Sequence, residues 1–209
     1  MPKSTLVLLV RHGLTATTGK VLPGRAPGLH LSDDGRRQAE AVARRIAGLP
    51  RVAAVYASPL ERARETAAPI ARAAGVGLRI ERDLAEVDIG AWTGLPLWRA
   101  RRKAEWAAIQ RHPSGFGFPG GESFPAMQTR VTGALARLVA RHPGATLVAV
   151  SHADPIKAAV AHALGTALDL FQRIMIAPAS VSAIVYRAEG PIALTINSVD
   201  GDLAALIRR

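Results

Sequence analysis

Cysteine is absent from all 209 residues. That removes disulfides, thiolate nucleophiles and Cys-ligated zinc, and leaves the redox compartment unread. Aromatic residues make up only 4% of the chain, too few for the stacking platforms that grip single-stranded nucleic acid. No apolar run approaches a membrane span. The short run after Lys3 ends at Arg11 with no small-residue cleavage site behind it, unlike a secretory signal. The expectation is a cytoplasmic, soluble protein with no membrane partner. Acid is scarce too: 16 Asp and Glu face 27 Lys and Arg, for a formal charge of +11. Of those cations 23 are Arg and 4 are Lys, scattered along helical stretches (Arg36, Arg37, Arg44, Arg45; Arg99, Arg101, Arg102) without a recognition-helix or zinc-finger pattern. They read as solvated helix faces and no nucleic-acid partner is expected, although a positive field draws in small anionic substrates.

What is present is a hydrophobic content of 49%, enough for one sizeable core. Leu6-Val-Leu-Leu-Val10 is too short for an ordinary helix and suits a strand buried on both faces. It runs straight into Arg11-His12-Gly13, and in an open α/β sheet the ligand crevice lies outside the carboxyl ends of strands. Val52 to Ala57 repeats the pattern and ends on Ser58, with Pro59 expected to open a helix that carries Arg62 and Arg64 in its first turn. Ala145 to Val150 repeats it again and ends on Ser151-His152, with a helix expected from Pro155. A strand end, a helix N-terminus and a first-turn Arg together make an anion site.

The connecting segments have their own signals. Leu14 to Leu31, with Gly19, Gly24, Gly28, Pro23 and Pro27, reads as a long functional loop. It is not a P-loop, because Gly13 and Gly19 are one residue too far apart and Val21 stands where Ser or Thr would hold magnesium. Ser32-Asp33-Asp34 is a helix start. A short strand near Leu78 to Ile80 leads into an acidic patch with Glu86 and Asp88. An Arg-rich helix is expected from Leu97 to His112, a long one after Ser123, and two antiparallel strands from Ser180 to Tyr186 and Ala193 to Val199. Ser151-His152-Ala153-Asp154 lacks the elbow of a hydrolase triad. His12 and His152 lack the close-spaced partners of a metal site, so no metal is expected.

The ordered blocks Leu9-Val10-Arg11-His12-Gly13, Ser58-Pro59-Leu60-Glu61-Arg62-Ala63-Arg64-Glu65-Thr66, Leu84-Ala85-Glu86, Gly90-Ala91-Trp92-Thr93-Gly94, Pro119-Gly120-Gly121-Glu122-Ser123 and Val150-Ser151-His152 resemble the histidine phosphatase superfamily, in its phosphoglycerate mutase-like branch. The likeness extends from Leu6 to about Leu203. Arg11-His12-Gly13-Leu14-Thr15 and Gly19-Lys20-Val21-Leu22-Pro23-Gly24 are similar to an actinobacterial subgroup of probable phosphomutases. The fold expected is a single 1–209 three-layer α/β/α domain with a mostly parallel sheet, an antiparallel edge strand and a small helical lid insert at about 91–123.

The resemblance implies that His12 is the nucleophile, that Arg11, Arg62 and His152 clamp the transferring phosphoryl group, and that Glu86 is the general acid. Asp88, two residues on, is a competing acid. Thr18 and Ala153 stand where relatives carry Asn and Gly, and are expected at the phosphate, Thr18 through its hydroxyl. Leu14 replaces a common Glu, and Asp154 has no assigned role. The function implied is hydrolysis of a small phosphorylated metabolite through phosphohistidine, with no cofactor. The alternative is a phosphomutase, which alone would need a bisphosphorylated activator; a non-catalytic phospho-ligand or nucleic-acid binder is a third reading. The exposed C-terminal edge strand leaves a homodimer open.

Overall fold

The computed structural model describes residues 4–206, so the outermost ends of the expected 1–209 domain lie outside the described residues. In chain order the strands are β1 (Thr5–Arg11), β2 (Val21–Leu22), β3 (Val52–Ala57), β4 (Leu78–Ile80), β5 (Leu95–Pro96), β6 (Thr146–Ser151), β7 (Val181–Arg187) and β8 (Gly190–Ser198). The α-helices are α1 (Asp33–Ala47), α2 (Glu61–Ala74), α3 (Leu97–Ala100), α4 (Glu105–Arg111), α5 (Phe124–Arg141) and α6 (Ala153–Ala163).

The main sheet runs β4-β3-β6-β1-β7-β8. β1 pairs in parallel with β6, β6 with β3, and β3 with β4. β7 lies antiparallel to β1, and β8 antiparallel to β7. The two antiparallel strands expected near the C-terminus are both present, β7 interior and β8 at the edge. Adding both at the β1 side leaves β1 between two partners, which is why Leu6 to Val10 are all buried.

Alternation along β1 divides the core. Leu6, Leu8 and Val10 face one cluster with Val42 and Ile46 of α1 and Ala63, Ala67 and Ile70 of α2. Val7 and Leu9 face the other, with Met127, Val131 and Leu135 of α5 and Ile156 of α6. A period-two strand between helices of period 3.6 gives the three layers. Burying each of those large aliphatic side chains stabilises by roughly 1.5–3 kcal/mol, before conformational entropy is subtracted. No helix among the described residues is long and apolar enough to cross a membrane.

Helix starts follow local chemistry. Ser32 caps α1 by accepting from Gly35 N–H at 3.1 Å, and Asp33 and Asp34 sit in its first turn. Ser123 caps α5 in the same way through Ala126 N–H at 3.2 Å. Other boundaries move. α2 begins at Glu61 with Leu60 at its cap, not at Pro59, and α6 begins at Ala153 rather than Pro155. The expected helix from Leu97 to His112 is two short helices separated by turns between Ala100 and Glu105. Its composition favours helix, but Ala100 of α3 and Ile109 of α4 are both buried in the core, and turns rather than a continuous helix connect them. Within the loop from Leu14 to Leu31, β2 pairs with β5 and joins this loop to the 91–123 segment.

Candidate active site

The parallel strands β3, β6 and β1 are neighbours, so their carboxyl ends bring Ser58, Ser151-His152 and Arg11-His12 to one rim; Arg11 and Ser151 are register partners. The His12 and His152 rings meet edge to face, with centroids 5.1 Å apart.

Hydrogen bonding sets the protonation of each ring. His12 Nδ1 lies 2.8 Å from the carbonyl oxygen of Gly13, which can only accept, so Nδ1 carries the proton and Nε2 keeps its lone pair. Burial first, then the charges of Arg62 and Arg11, push the His12 pKa down to about 3, against the weaker pull of the Gly13 carbonyl. His12 is therefore neutral at any ordinary pH. For His152 the partner is Ser58, whose Oγ lies 2.8 Å from Nε2 and accepts from Leu60 N–H at 3.3 Å. Nε2 is thus engaged by Ser58, and Nδ1 is the ring nitrogen left buried without a hydrogen-bond partner. Burial and the neighbouring His12, Arg62 and Arg11 hold His152 well below the usual imidazole range.

Arg62 is 0% exposed. Its Nη2 donates to Gly24 O at 2.9 Å, but Nε and Nη1 are buried without a hydrogen-bond partner, and it forms no ion pair among the described residues. Arg11 Nη1 donates to Ile176 O at 2.6 Å while its Nε is likewise buried and unpartnered. His152 Nδ1 is also buried without a partner. Leaving a buried charge uncompensated costs on the order of several kcal/mol. Three unpartnered N–H donors on two buried guanidiniums, next to that free imidazole nitrogen, suit an anion.

Glu86 reaches this cluster from the segment between β4 and β5. Its Oε1 accepts from Val87 N–H at 2.9 Å. Burial, reinforced by the Asp154 carboxylate, raises its pKa to about 7 against the pull of Arg62 and Arg11. Asp88 is different: its Oδ1 accepts from Gly90 N–H at 3.0 Å, its Oδ2 lies 3.8 Å from Arg25, and its side chain is 42% exposed. Asp88 shapes the turn. Asp154, without a role in the sequence, sits on the first turn of α6, 3.2 Å from Lys157, with its charge felt by both Glu86 and Arg11.

Thr18 is used within its own loop, accepting from Thr15 N–H at 3.0 Å and meeting Thr15 Oγ1 at 2.9 Å; none of its hydrogen bonds reaches the histidine pair. Ala153 is the first residue of α6 and presents a helix N-terminal N–H beside His152. Several supporting groups escaped sequence reasoning. Thr66 Oγ1 accepts from Gly13 N–H at 3.0 Å and donates to Arg62 O at 2.7 Å, tying nucleophile strand to clamp helix. Arg130 of α5 donates to the carbonyls of Asp83, Ala85 and Glu86 and to both oxygens of Glu122, fixing the segment that carries Glu86. Arg25 donates to Glu86 O at 2.7 Å and to Glu122 at 3.0 Å. Thr66 and Glu122 lie in the motifs quoted above; Arg25 and Arg130 carry no local signal. No group of three or more His, Cys, Asp and Glu able to hold a metal ion occurs among the described residues.

The profile of the histidine phosphatase superfamily (branch 1) matches residues 7–199. The chain belongs to that superfamily. Among curated relatives of this histidine phosphatase superfamily member, the bifunctional protein Rv2228c of Mycobacterium tuberculosis is 35% identical over 202 residues, covering 95% of this chain and 55% of the relative. The chain thus spans about half the length of the first curated relatives it matches, at 55%. Phosphoserine phosphatase 1 of Hydrogenobacter thermophilus is 31% identical over 196 residues, covering 91% of each chain. Among solved structures, a mycobacterial glucosyl-3-phosphoglycerate phosphatase superposes with a TM-score of 0.83 at 25% identity, over 94% of this chain and 100% of that one.

Proposed function

We propose that this chain is a phosphomonoester hydrolase that works through a phosphohistidine on His12. The observation that carries the reading is the set of three buried, unpartnered guanidinium N–H groups of Arg11 and Arg62, with His152 Nδ1 also unpartnered, beside a histidine with a free Nε2. A phosphoryl group supplies equatorial oxygens for those donors and an electrophile for that nitrogen. The names of the phosphatases to which the chain is similar agree with it.

In the first step His12 Nε2 forms a bond to phosphorus as the bond to the ester oxygen breaks. Arg11, Arg62 and His152 Nδ1–H hold the three equatorial oxygens, and Glu86, protonated near neutrality, gives its proton to the departing alkoxide. In the second step the Glu86 carboxylate takes a proton from water as its oxygen attacks phosphorus. Phosphate leaves and His12 returns to the neutral imidazole. Each donor in such a clamp is worth ~3 kcal/mol, about a hundredfold in rate. No step requires a metal ion.

The test is phosphate release from sugar phosphates, phosphoglycerates, nucleotides and aryl phosphates, with isomer formation assayed separately. The expected outcome is release without isomer, unchanged by chelator. Isomer formation as the dominant product would make the chain a mutase, and binding without turnover would make it a phospho-ligand binder.

A further inference from the structure

A cleft of about 360 Å³ is lined by Asp154, two residues after His152, and its volume is within the range of small-molecule sites. It adjoins the chemistry through named residues. Asp154 lines it and acts by charge on Glu86 and Arg11. Ile89, also lining it, lies three residues beyond Glu86, and Leu22 lies two before Gly24, whose carbonyl holds Arg62. The walls are largely apolar: Trp92, Leu97, Trp106, Phe118 and Met175 contribute, with Trp92 and Phe118 edge to face at 5.6 Å.

On the polar wall Lys157 Nζ donates to Asp154 Oδ1 at 3.2 Å and to Gln172 Oε1 at 2.9 Å, and lies 5.8 Å from the Phe171 ring centre. The Lys157 and Asp154 charges offset one another, so this end of the cleft offers an anionic group on the substrate no unpaired lysine. The remaining cation of the cleft, Arg101, is exposed and stands among the insert helices.

We propose that the alcohol released by this enzyme is bulky and largely apolar. The proposal rests on the phosphatase reading above. The apolar body fills the cleft between the Trp92–Trp106 wall and Met175, and transfer of that surface from water supplies the selectivity.

The experiment compares kcat/KM for ethyl phosphate, 2-phenylethyl phosphate, 2-(1-naphthyl)ethyl phosphate and 3-phosphoglycerate. All four are alkyl esters, so leaving-group basicity does not decide the order. The expected result is a gain of about tenfold from ethyl to phenylethyl, a further gain for naphthylethyl, and 3-phosphoglycerate at or below ethyl phosphate. Trp106→Ala, its folding checked by circular dichroism and the urea midpoint, should compress the naphthylethyl-to-ethyl kcat/KM ratio through KM. Met175→Asp, at a side chain 72% exposed and so safe for folding, should act in the same direction. Equal kcat/KM across the alkyl series, or a preference for 3-phosphoglycerate, overturns the proposal and leaves the phosphatase standing. Absence of phosphate release from these esters and from aryl phosphates overturns both.

Discussion

At the scale of single residues, opposite pKa shifts divide the chemistry between His12 and Glu86. Burial disfavours charge on each, so the imidazole goes down and the carboxyl goes up. His12, held at about 3, is unprotonated and Glu86, raised to about 7, keeps a proton near neutrality, the states that the proposed mechanism asks of nucleophile and proton donor. The kcat/KM profile should therefore be flat from about pH 4 to 6 in its dependence on His12 and should fall as pH rises through about 7, where Glu86 loses its proton. Glu86→Gln should lower kcat/KM about a hundredfold or more and flatten that limb. A limb unchanged in Glu86→Gln would assign it to another group, the substrate phosphate included. Stability is linked to the same shifts with opposite signs. Glu86, its folded pKa raised, contributes stability that is present below the ordinary carboxylate range and is lost as pH rises through about 7. His12, its folded pKa depressed, contributes stability that is present above 6.5 and is lost as pH falls toward about 3.

At the scale of elements, the position of Glu86 is fixed by contacts far apart in sequence. Gly90 has φ +47°, and a Cβ on it would lie 2.3 Å from Pro119 O; a Cβ on Gly121 would lie 2.4 Å from Asp88 O. The two segments close on one another through Ala91 N–H to Pro119 O at 2.9 Å and Glu122 N–H to Asp88 O at 2.8 Å. Gly90→Ala should thus destabilise by about 1–3 kcal/mol, through both the backbone region and the clash, as a shift in urea midpoint, and should reduce kcat in the folded fraction. A variant with wild-type midpoint and kcat would show that the loop has room to spare.

The same contacts explain what was legible in the sequence. Strand ends, the Ser32 cap and the polar pairs Arg11-His12 and Ser151-His152 are local signals, and all emerge where pattern and propensity put them. The glycines of Gly90 to Gly94 and Pro119 to Gly121 were visible as motifs, but their reason, mutual close approach, is a pairing between segments and has no local trace. Arg25 and Arg130 looked like further members of an arginine-rich surface. Their donors instead hold the backbone around Glu86, Arg130 from α5 and Arg25 from the loop between β2 and α1. The break in the Leu97 to His112 stretch was hidden for the opposite reason: its composition favours helix, and tertiary burial overrides it.

At the scale of the whole molecule, the excess of positive charge has two uses. Some arginines are structural: besides Arg25 and Arg130, Arg45 of α1 donates to the carbonyls of Ser198, Asp200 and Gly201 and ties down the chain after β8. The chain as a whole carries a formal charge of +11. Such a field steers anionic substrates, and salt screens it: the Debye length falls from about 30 Å at 0.01 M to about 8 Å at 0.15 M. For a dianionic ester kcat/KM should therefore fall severalfold across that range with kcat nearly constant; a salt-independent kcat/KM would confine the electrostatics to the buried donors.

The central claim is that His12 Nε2 takes the phosphoryl group. Brief incubation with a 32P-labelled phosphomonoester, followed by quenching and peptide mapping, tests it most directly. The account predicts an acid-labile, alkali-stable label on the peptide containing His12, absent from His12→Ala together with hydrolysis. Hydrolysis retained in His12→Ala, or a label on another residue, would contradict it.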